Sequence, residues 1–147
     1  MHLDHESGVA IAIEDPSHVG EVRRSANAIA AAVGLSDTEG GKFAILACEA
    51  ATNIVKHAGR GEIVLRSLGS RGGAAGVELI AIDSGPGIAD IDRALSDGYS
   101  TAGSSGTGLG AMSRLATTFD IFSSAGSGTV LKARLERAGS GAPQANR

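Results

Sequence analysis

Apolar residues recur along this chain with two spacings, at alternate positions in some segments and at every third or fourth position in others. The first spacing predicts strands and the second predicts helices. The predicted strands cover residues 9–13, 62–68, 77–83, 119–124 and 129–135. Two glycine-rich segments, 69–76 and 126–128, lie between consecutive strands, so each is predicted to be the loop of a β-hairpin.

The first two main helices are predicted from capping residues as well as from periodicity. A first helix is predicted over 15–33, with Asp15 at its cap and a glycine directly after its last residue. The segment Ser36-Asp-Thr-Glu39 is a capping box, in which the first and last side chains bond each other's backbone amides. It predicts the start of a second helix that continues to about Ala58.

The order of the elements predicts the fold class. A weakly helical pattern covers 88–96, and a third main helix is predicted over 108–118. Between them lies a small and polar segment, 97–105, that has the composition of a mobile loop. The order β-α-α-β-β-α-α-β-β is not an alternating βαβ series. It favours an α/β (α+β) two-layer sandwich, with a mixed, mostly antiparallel sheet and helices on one face. We expect a domain over 1–137 and a linker-like tail at 138–147.

Composition narrows the class of protein. The chain has 147 residues, 42% of them hydrophobic, which suits one folded domain and excludes a disordered chain. Its formal net charge is -3 and it has no basic stripe with aromatic residues between, so a nucleic-acid partner is not expected. A single cysteine, Cys48, excludes an internal disulfide. No apolar run approaches the roughly 20 residues of a membrane span, and a cytoplasmic location is expected.

One segment of the second helix carries a polar stripe. Glu49 and Asn53 are four residues apart and share a helix face, and His57 extends it. An amide oxygen suits Mg²⁺, which takes few protein ligands, and a carboxylate can accept a proton from a hydroxyl group. Taken alone, the stripe is more typical of a solvated polar helix face that ends in a histidine than of a metal site. Other positions of this helix are expected to fill the core, namely Ile45, Cys48 and Val55.

Two glycine-containing segments suggest a nucleotide site. Asp83 ends an apolar strand and is followed by Ser-Gly-Pro-Gly, so its carboxylate can accept a hydrogen bond from an exocyclic amine, while Gly85 and Gly87 let a flat base approach the backbone. An ordinary turn explains these residues equally well. The loop Gly106-Thr-Gly-Leu-Gly110 precedes a helical pattern, where bare amides bind phosphate. It lacks the preceding strand that a dinucleotide-binding motif requires.

Read in order, these three segments resemble the N, G1 and G2 boxes of the GHKL ATPase superfamily, which includes gyrase-type ATPases and histidine-kinase catalytic domains. The resemblance covers about residues 8–136. Within the superfamily, Asp97-Gly-Tyr-Ser-Thr101, the second glycine loop with Arg114-Leu115, and Phe119-Asp-Ile-Phe-Ser-Ser with Gly128-Thr129 are most similar to RsbT-type anti-sigma-factor serine/threonine kinases. The implied fold is the Bergerat ATP-binding sandwich.

The resemblance also implies a role for each matching residue. Glu49 would be the catalytic general base, Asn53 would bind Mg²⁺, and Asp83 would read the amine of adenine. The glycines of the second loop would line the phosphates, and Thr129 would lie near the base. The implied ATP-binding residues are Asn53, His57, Asp83, Gly85, Gly87, Gly106, Thr107, Gly108, Leu109, Gly110 and Thr129.

The function implied is that of an ATP- and Mg²⁺-dependent serine/threonine protein kinase in a bacterial partner-switching system, which phosphorylates a STAS-domain antagonist. The alternative is a nucleotide-dependent binding module that sequesters a sigma factor or regulates a PP2C-type phosphatase, by itself or as the N-terminal domain of a larger protein. A homodimer is compatible with either function. Neither requires a nucleic acid or a membrane.

Overall fold

The protein is built around one five-stranded sheet; the structure is a computed structural model that describes residues 8–69, 75–96 and 108–138. The strands are β1 Gly8–Ile13, β2 Gly61–Leu68, β3 Gly76–Asp83, β4 Thr118–Ser123 and β5 Thr129–Glu136. The helices are α1 His18–Val33, α2 Asp37–Asn53, α3 Ile91–Ser96 and α4 Leu109–Leu115. A π-helical turn, Ile54–Ala58, follows α2 directly.

The strand order of the sheet is β1-β2-β3-β5-β4, and each of these four neighbouring pairs is antiparallel. The α/β two-layer fold predicted from the element order is therefore confirmed, and the sheet expected to be mixed is antiparallel throughout its described pairs. Because β3 and β5 are antiparallel neighbours, the last residue of β3 pairs with the first residue of β5. Asp83 and Thr129 are the paired residues at that point.

The predicted strands agree with the observed ones to within one residue at each end, because alternation marks the buried face directly. The first helix was placed too early. Its N-cap is Ser17 and not Asp15, since an Asp15 carboxylate oxygen, Oδ1, accepts hydrogen bonds from both the backbone N–H (2.8 Å) and the hydroxyl of Ser17. Those bonds close a turn ahead of the helix and lower the pKa of the exposed Asp15 carboxyl.

The two short helices are also shorter than predicted, for tertiary reasons. The backbone N–H of Ile88 donates to the hydroxyl of Ser123 on β4, so α3 begins only at Ile91. The backbone N–H of Thr117 donates to the carbonyl of Arg134 on β5, and the chain has already joined the sheet by then. The helix predicted to reach residue 118 therefore ends at Leu115.

Some sequence predictions fall on segments outside the described residues. These are residues 70–74 of the first hairpin loop, the loop at 97–105, the two residues Gly106 and Thr107 of the second glycine loop, and nearly all of the tail. Of the helices in the described segments, none combines the length and the apolar character that a membrane span requires.

The core lies between α1, α2 and one face of the sheet. Aliphatic side chains dominate it, as the low aromatic content implies, and Phe43 of α2 is its largest fully buried member. The capping box of α2 is present as predicted, with Ser36 Oγ accepting from Glu39 N–H and Glu39 Oε1 accepting from Ser36 N–H. Ile45, expected in the core, is instead 51% exposed on the outer side of α2. Cys48 and Val55 are half-buried.

The opposite face of the sheet carries an ion-pair network around a buried carboxylate. Glu78 is fully buried and accepts hydrogen bonds from the guanidinium groups of Arg66 (2.5 Å) and Arg134 (2.7 Å) on the neighbouring strands. Burial by itself would raise the pKa of Glu78, but the two arginines outweigh it and hold the pKa below its ordinary value. One cross-strand row on this face is apolar and exposed: Ile82, Val130 and Phe122.

Candidate ATP-binding site

A cavity of about 190 Å³ lies where the end of α2 meets the ends of β3 and β5. Its walls are mainly apolar. They are formed by Ala50, Ile54, Ala58, Ala81, Pro86, Gly87, Ile88, Leu109 and Leu131. Four polar side chains complete the lining, those of Asn53, His57, Asp83 and Thr129. Apolar walls with a few convergent polar groups are typical of a small-molecule site.

Asp83 is held by the turn that follows it. Its Oδ1 accepts a hydrogen bond from the backbone N–H of Gly85 (2.9 Å), which fixes the plane of the carboxylate. Among the described residues, the structure shows no hydrogen-bond partner for its other oxygen, Oδ2. The half-buried carboxylate therefore brings one available acceptor to the cavity.

Two glycines of this turn are required by close packing. A Cβ atom at Gly85 would lie 2.7 Å from the Cβ of Ala58, closer than van der Waals contact allows. Gly87 has a φ of +78° and lies against the carbonyl oxygen of Ser124, so a side chain there would meet both backbone strain and a steric clash. The turn thus packs tightly between the end of the π-helical turn and the β4–β5 hairpin.

A second set of bonds attaches the same turn to the hairpin. The backbone N–H of Gly126 donates to the carbonyl of Pro86 (2.6 Å). The hydroxyl of Ser123, at the end of β4, lies 2.8 Å from each of three groups: the N–H of Ile88, the carbonyl of Gly128 and the hydroxyl of Thr129. Thr129 is thereby tied to the turn that carries Asp83.

The end of α2 brings Asn53 and His57 to the cavity. The side-chain nitrogen of Asn53 donates to the sulfur of Met112 on α4 (3.9 Å), which turns the amide nitrogen toward α4 and the carbonyl oxygen away from it. The π-helical turn then widens the backbone, with the N–H of Gly59 donating to the carbonyl of Ile54 (2.8 Å). Such turns often occur at functional sites, and this one carries Ile54 and His57 into the cavity wall.

Glu49 lies one helical turn before Asn53 and outside the cavity lining. It is exposed, and its Oε1 lies 3.2 Å from the position that a Cβ at Gly108 would occupy. Gly108 is the N-cap of α4 and has a φ of +73°. The exposed carboxylate therefore sits beside the second glycine loop, where a bare backbone leaves room.

The structure brings most of the predicted site residues together. Six of them line the cavity: Asn53, His57, Asp83, Gly87, Leu109 and Thr129. Gly85 supports Asp83, Gly108 adjoins Glu49, and Gly110 is buried within α4. Proximity leaves the individual roles of these residues as predictions.

Apart from Gly87 and Leu109, sequence reasoning missed the apolar walls, and it also missed Ser123. The walls are alanines and branched aliphatic residues that look like ordinary core positions. A small polar residue at the end of a predicted strand, next to a glycine-rich turn, was the only available hint for Ser123. Its partners lie 35 residues before it and five to six after it, and pairing across the sheet was needed to see them together.

Comparison with known proteins agrees with this geometry. Residues 13–135 match the family described as the histidine kinase-like ATPase domain, and the chain belongs to that family. It is similar to the serine/threonine-protein kinase RsbT of Bacillus subtilis (strain 168), with 37% identity over 105 residues, which is 71% of this chain and 78% of that protein. The resemblance stated from the motifs is thus confirmed, and the protein is a kinase of the GHKL type.

Proposed function

We propose that this protein transfers the terminal phosphate of ATP to a serine or threonine of a STAS-domain antagonist, in a bacterial partner-switching system. The observation that carries the proposal is the position of Glu49. This exposed carboxylate lies beside Gly108 and one helical turn from the nucleotide cavity, where a protein hydroxyl can reach it. Similarity to RsbT supports the choice of a protein substrate.

The cavity fits an adenine base on chemical grounds. Its lining is mainly apolar. Among the described residues Oδ2 of Asp83 has no hydrogen-bond partner, so it can accept the hydrogen bond that an exocyclic amine donates. At Gly87 the cavity wall is backbone alone, because glycine has no side chain to project into the cavity. Burial of the base between aliphatic residues would supply the remaining affinity.

The residues at the mouth of the cavity would have two separate roles, metal binding and proton acceptance. The amide oxygen of Asn53 is the group that would hold Mg²⁺, which neutralises phosphate charge when bound. Glu49 would accept the proton of the attacking hydroxyl as the new phosphate ester forms. The chain has no arginine or lysine between Arg93 and Arg114, so Lys56 or Arg114, or a cation of the protein partner, would stabilise charge on the transferred group.

The test is phosphotransfer compared with binding. The wild type, Glu49→Gln and the control Glu62→Gln, whose side chain is also exposed but lies on β2, are incubated with ATP, Mg²⁺ and a STAS-domain antagonist. We expect Glu49→Gln to bind ATP normally and to lose transfer by roughly 10²- to 10⁴-fold, while Glu62→Gln retains both. Transfer at the wild-type rate by Glu49→Gln would remove Glu49 from the chemistry. ATP binding without any transfer by the wild type would contradict the kinase proposal for this substrate.

A further inference from the structure

The hydroxyl of Ser123 has three neighbours at hydrogen-bond distance and one proton to donate. Ile88 offers a backbone N–H, which can only donate, and Gly128 offers a carbonyl oxygen, which can only accept. The proton of Ser123 must therefore go to Gly128. Two lone pairs remain on the serine oxygen, and the N–H of Ile88 takes one of them.

The third neighbour is the hydroxyl of Thr129, 2.8 Å away, and it has to complete this arrangement. Because the proton of Ser123 is already used, the Thr129 hydroxyl must donate to Ser123. The Thr129 oxygen can then act toward other groups only as an acceptor, through its lone pairs. Thr129 lines the cavity together with Asp83. The polar end of the cavity consequently has two acceptors side by side.

We infer that Ser123 is a positioning residue that sets the nucleobase specificity of the site, by holding the Thr129 hydroxyl as an acceptor. The inference rests on the proposed ATP site. Two acceptors suit a base that offers an amino group at this edge, and they repel a base that offers a carbonyl oxygen there. Ser123 itself is outside the cavity lining and acts through Thr129.

Removing the serine hydroxyl reverses this constraint. In Ser123→Ala the Thr129 hydroxyl loses its acceptor, so it can rotate and donate into the cavity. A base with a carbonyl oxygen would then gain a donor, while a base with an amino group could still donate to the lone pairs of the same hydroxyl. A purely structural role for Ser123 would instead weaken the binding of both bases alike.

The experiment measures the dissociation constants of ATP and of inosine triphosphate, which carries a carbonyl oxygen in place of the 6-amino group. Calorimetry is run on the wild type, Ser123→Ala, Ser123→Thr and Ser127→Ala. Ser127 is an exposed serine of the same hairpin and serves as the control. We expect the preference for ATP over inosine triphosphate to fall roughly tenfold in Ser123→Ala, the size of one ordinary hydrogen bond. Ser123→Thr retains the hydroxyl and should restore the preference, and Ser127→Ala should not change it.

An equal loss of affinity for both nucleotides in Ser123→Ala, with an unchanged ratio, would overturn the inference and leave the proposed ATP site intact. If Ser123→Ala fails to fold, Thr129→Val tests the same point, because it removes the acceptor and keeps the shape. An unchanged ratio in Thr129→Val would likewise overturn the inference. A wild type that binds neither nucleotide would refute the proposed site and this inference with it.

Discussion

Asp83→Asn is the sharpest test of the nucleotide site, because the substitution changes one atom of a fixed group. Oδ1 of Asp83 accepts from the N–H of Gly85, and an asparagine keeps that bond through its own carbonyl oxygen. The new NH₂ group must therefore take the place of Oδ2. A donor would then face the donor of the incoming base, in place of a charged acceptor.

The magnitude follows from the bond that is lost. A hydrogen bond to a charged group contributes about 1.5–3 kcal/mol, so its loss should raise the dissociation constant for ATP roughly 10- to 150-fold. The free energy of unfolding without nucleotide should change little, because the Gly85 bond persists. The assay is calorimetric titration with ATP and Mg²⁺, together with thermal unfolding. Asp92→Asn, an exposed carboxylate of α3 outside the cavity lining, is the matched control.

A second nucleotide shows whether the lost affinity comes from the 6-amino group. Purine riboside triphosphate lacks the 6-amino group, so the wild type and Asp83→Asn should bind it with equal affinity. Unchanged ATP affinity in Asp83→Asn would show that Asp83 does not contact the base. An equal loss for ATP and for the analogue would show that Asp83 acts through the shape of the turn and not through the amine.

Three further outcomes follow from the packing. Gly87→Ala should lower the free energy of unfolding by at least about 2 kcal/mol, because it combines positive φ with a steric clash. The control Gly126→Ala has positive φ but open space around it, so it should lower that free energy less. Equal losses of stability in a denaturant titration would contradict the clash. Ser36→Ala should cost about 1 kcal/mol through loss of the α2 cap, and no change in unfolding would show that the cap is dispensable. The folded pKa of Glu78 is below its ordinary value of 4.5, so its stabilisation is complete above about pH 4.5 and is lost as pH falls through the folded pKa. In that acid range the free energy of unfolding should accordingly change less steeply with pH for Glu78→Gln than for the wild type. Equal slopes would refute a stabilising role of the Glu78 carboxylate.

The sequence determined the local elements because their causes are local. Alternation of apolar residues placed each described strand to within one residue. The capping box placed the start of α2, since both of its bonds form within four residues. The three polar and glycine-rich segments predicted the site only when read together as a resemblance to the GHKL boxes, and residues from all three lie at or beside the cavity.

Only the tertiary structure decided the features that depend on which strands become neighbours. The placement of β5 between β3 and β4 pairs Asp83 with Thr129 and brings Ser123 to the turn at Ile88. The pairing of β3 with β2 on one side and β5 on the other also places buried Glu78 between two arginines, although the sequence shows only a charged residue in an apolar run. The same limit explains the error at Ile45: helical periodicity shows which residues share a face, but only the packing of α2 decides which face is covered.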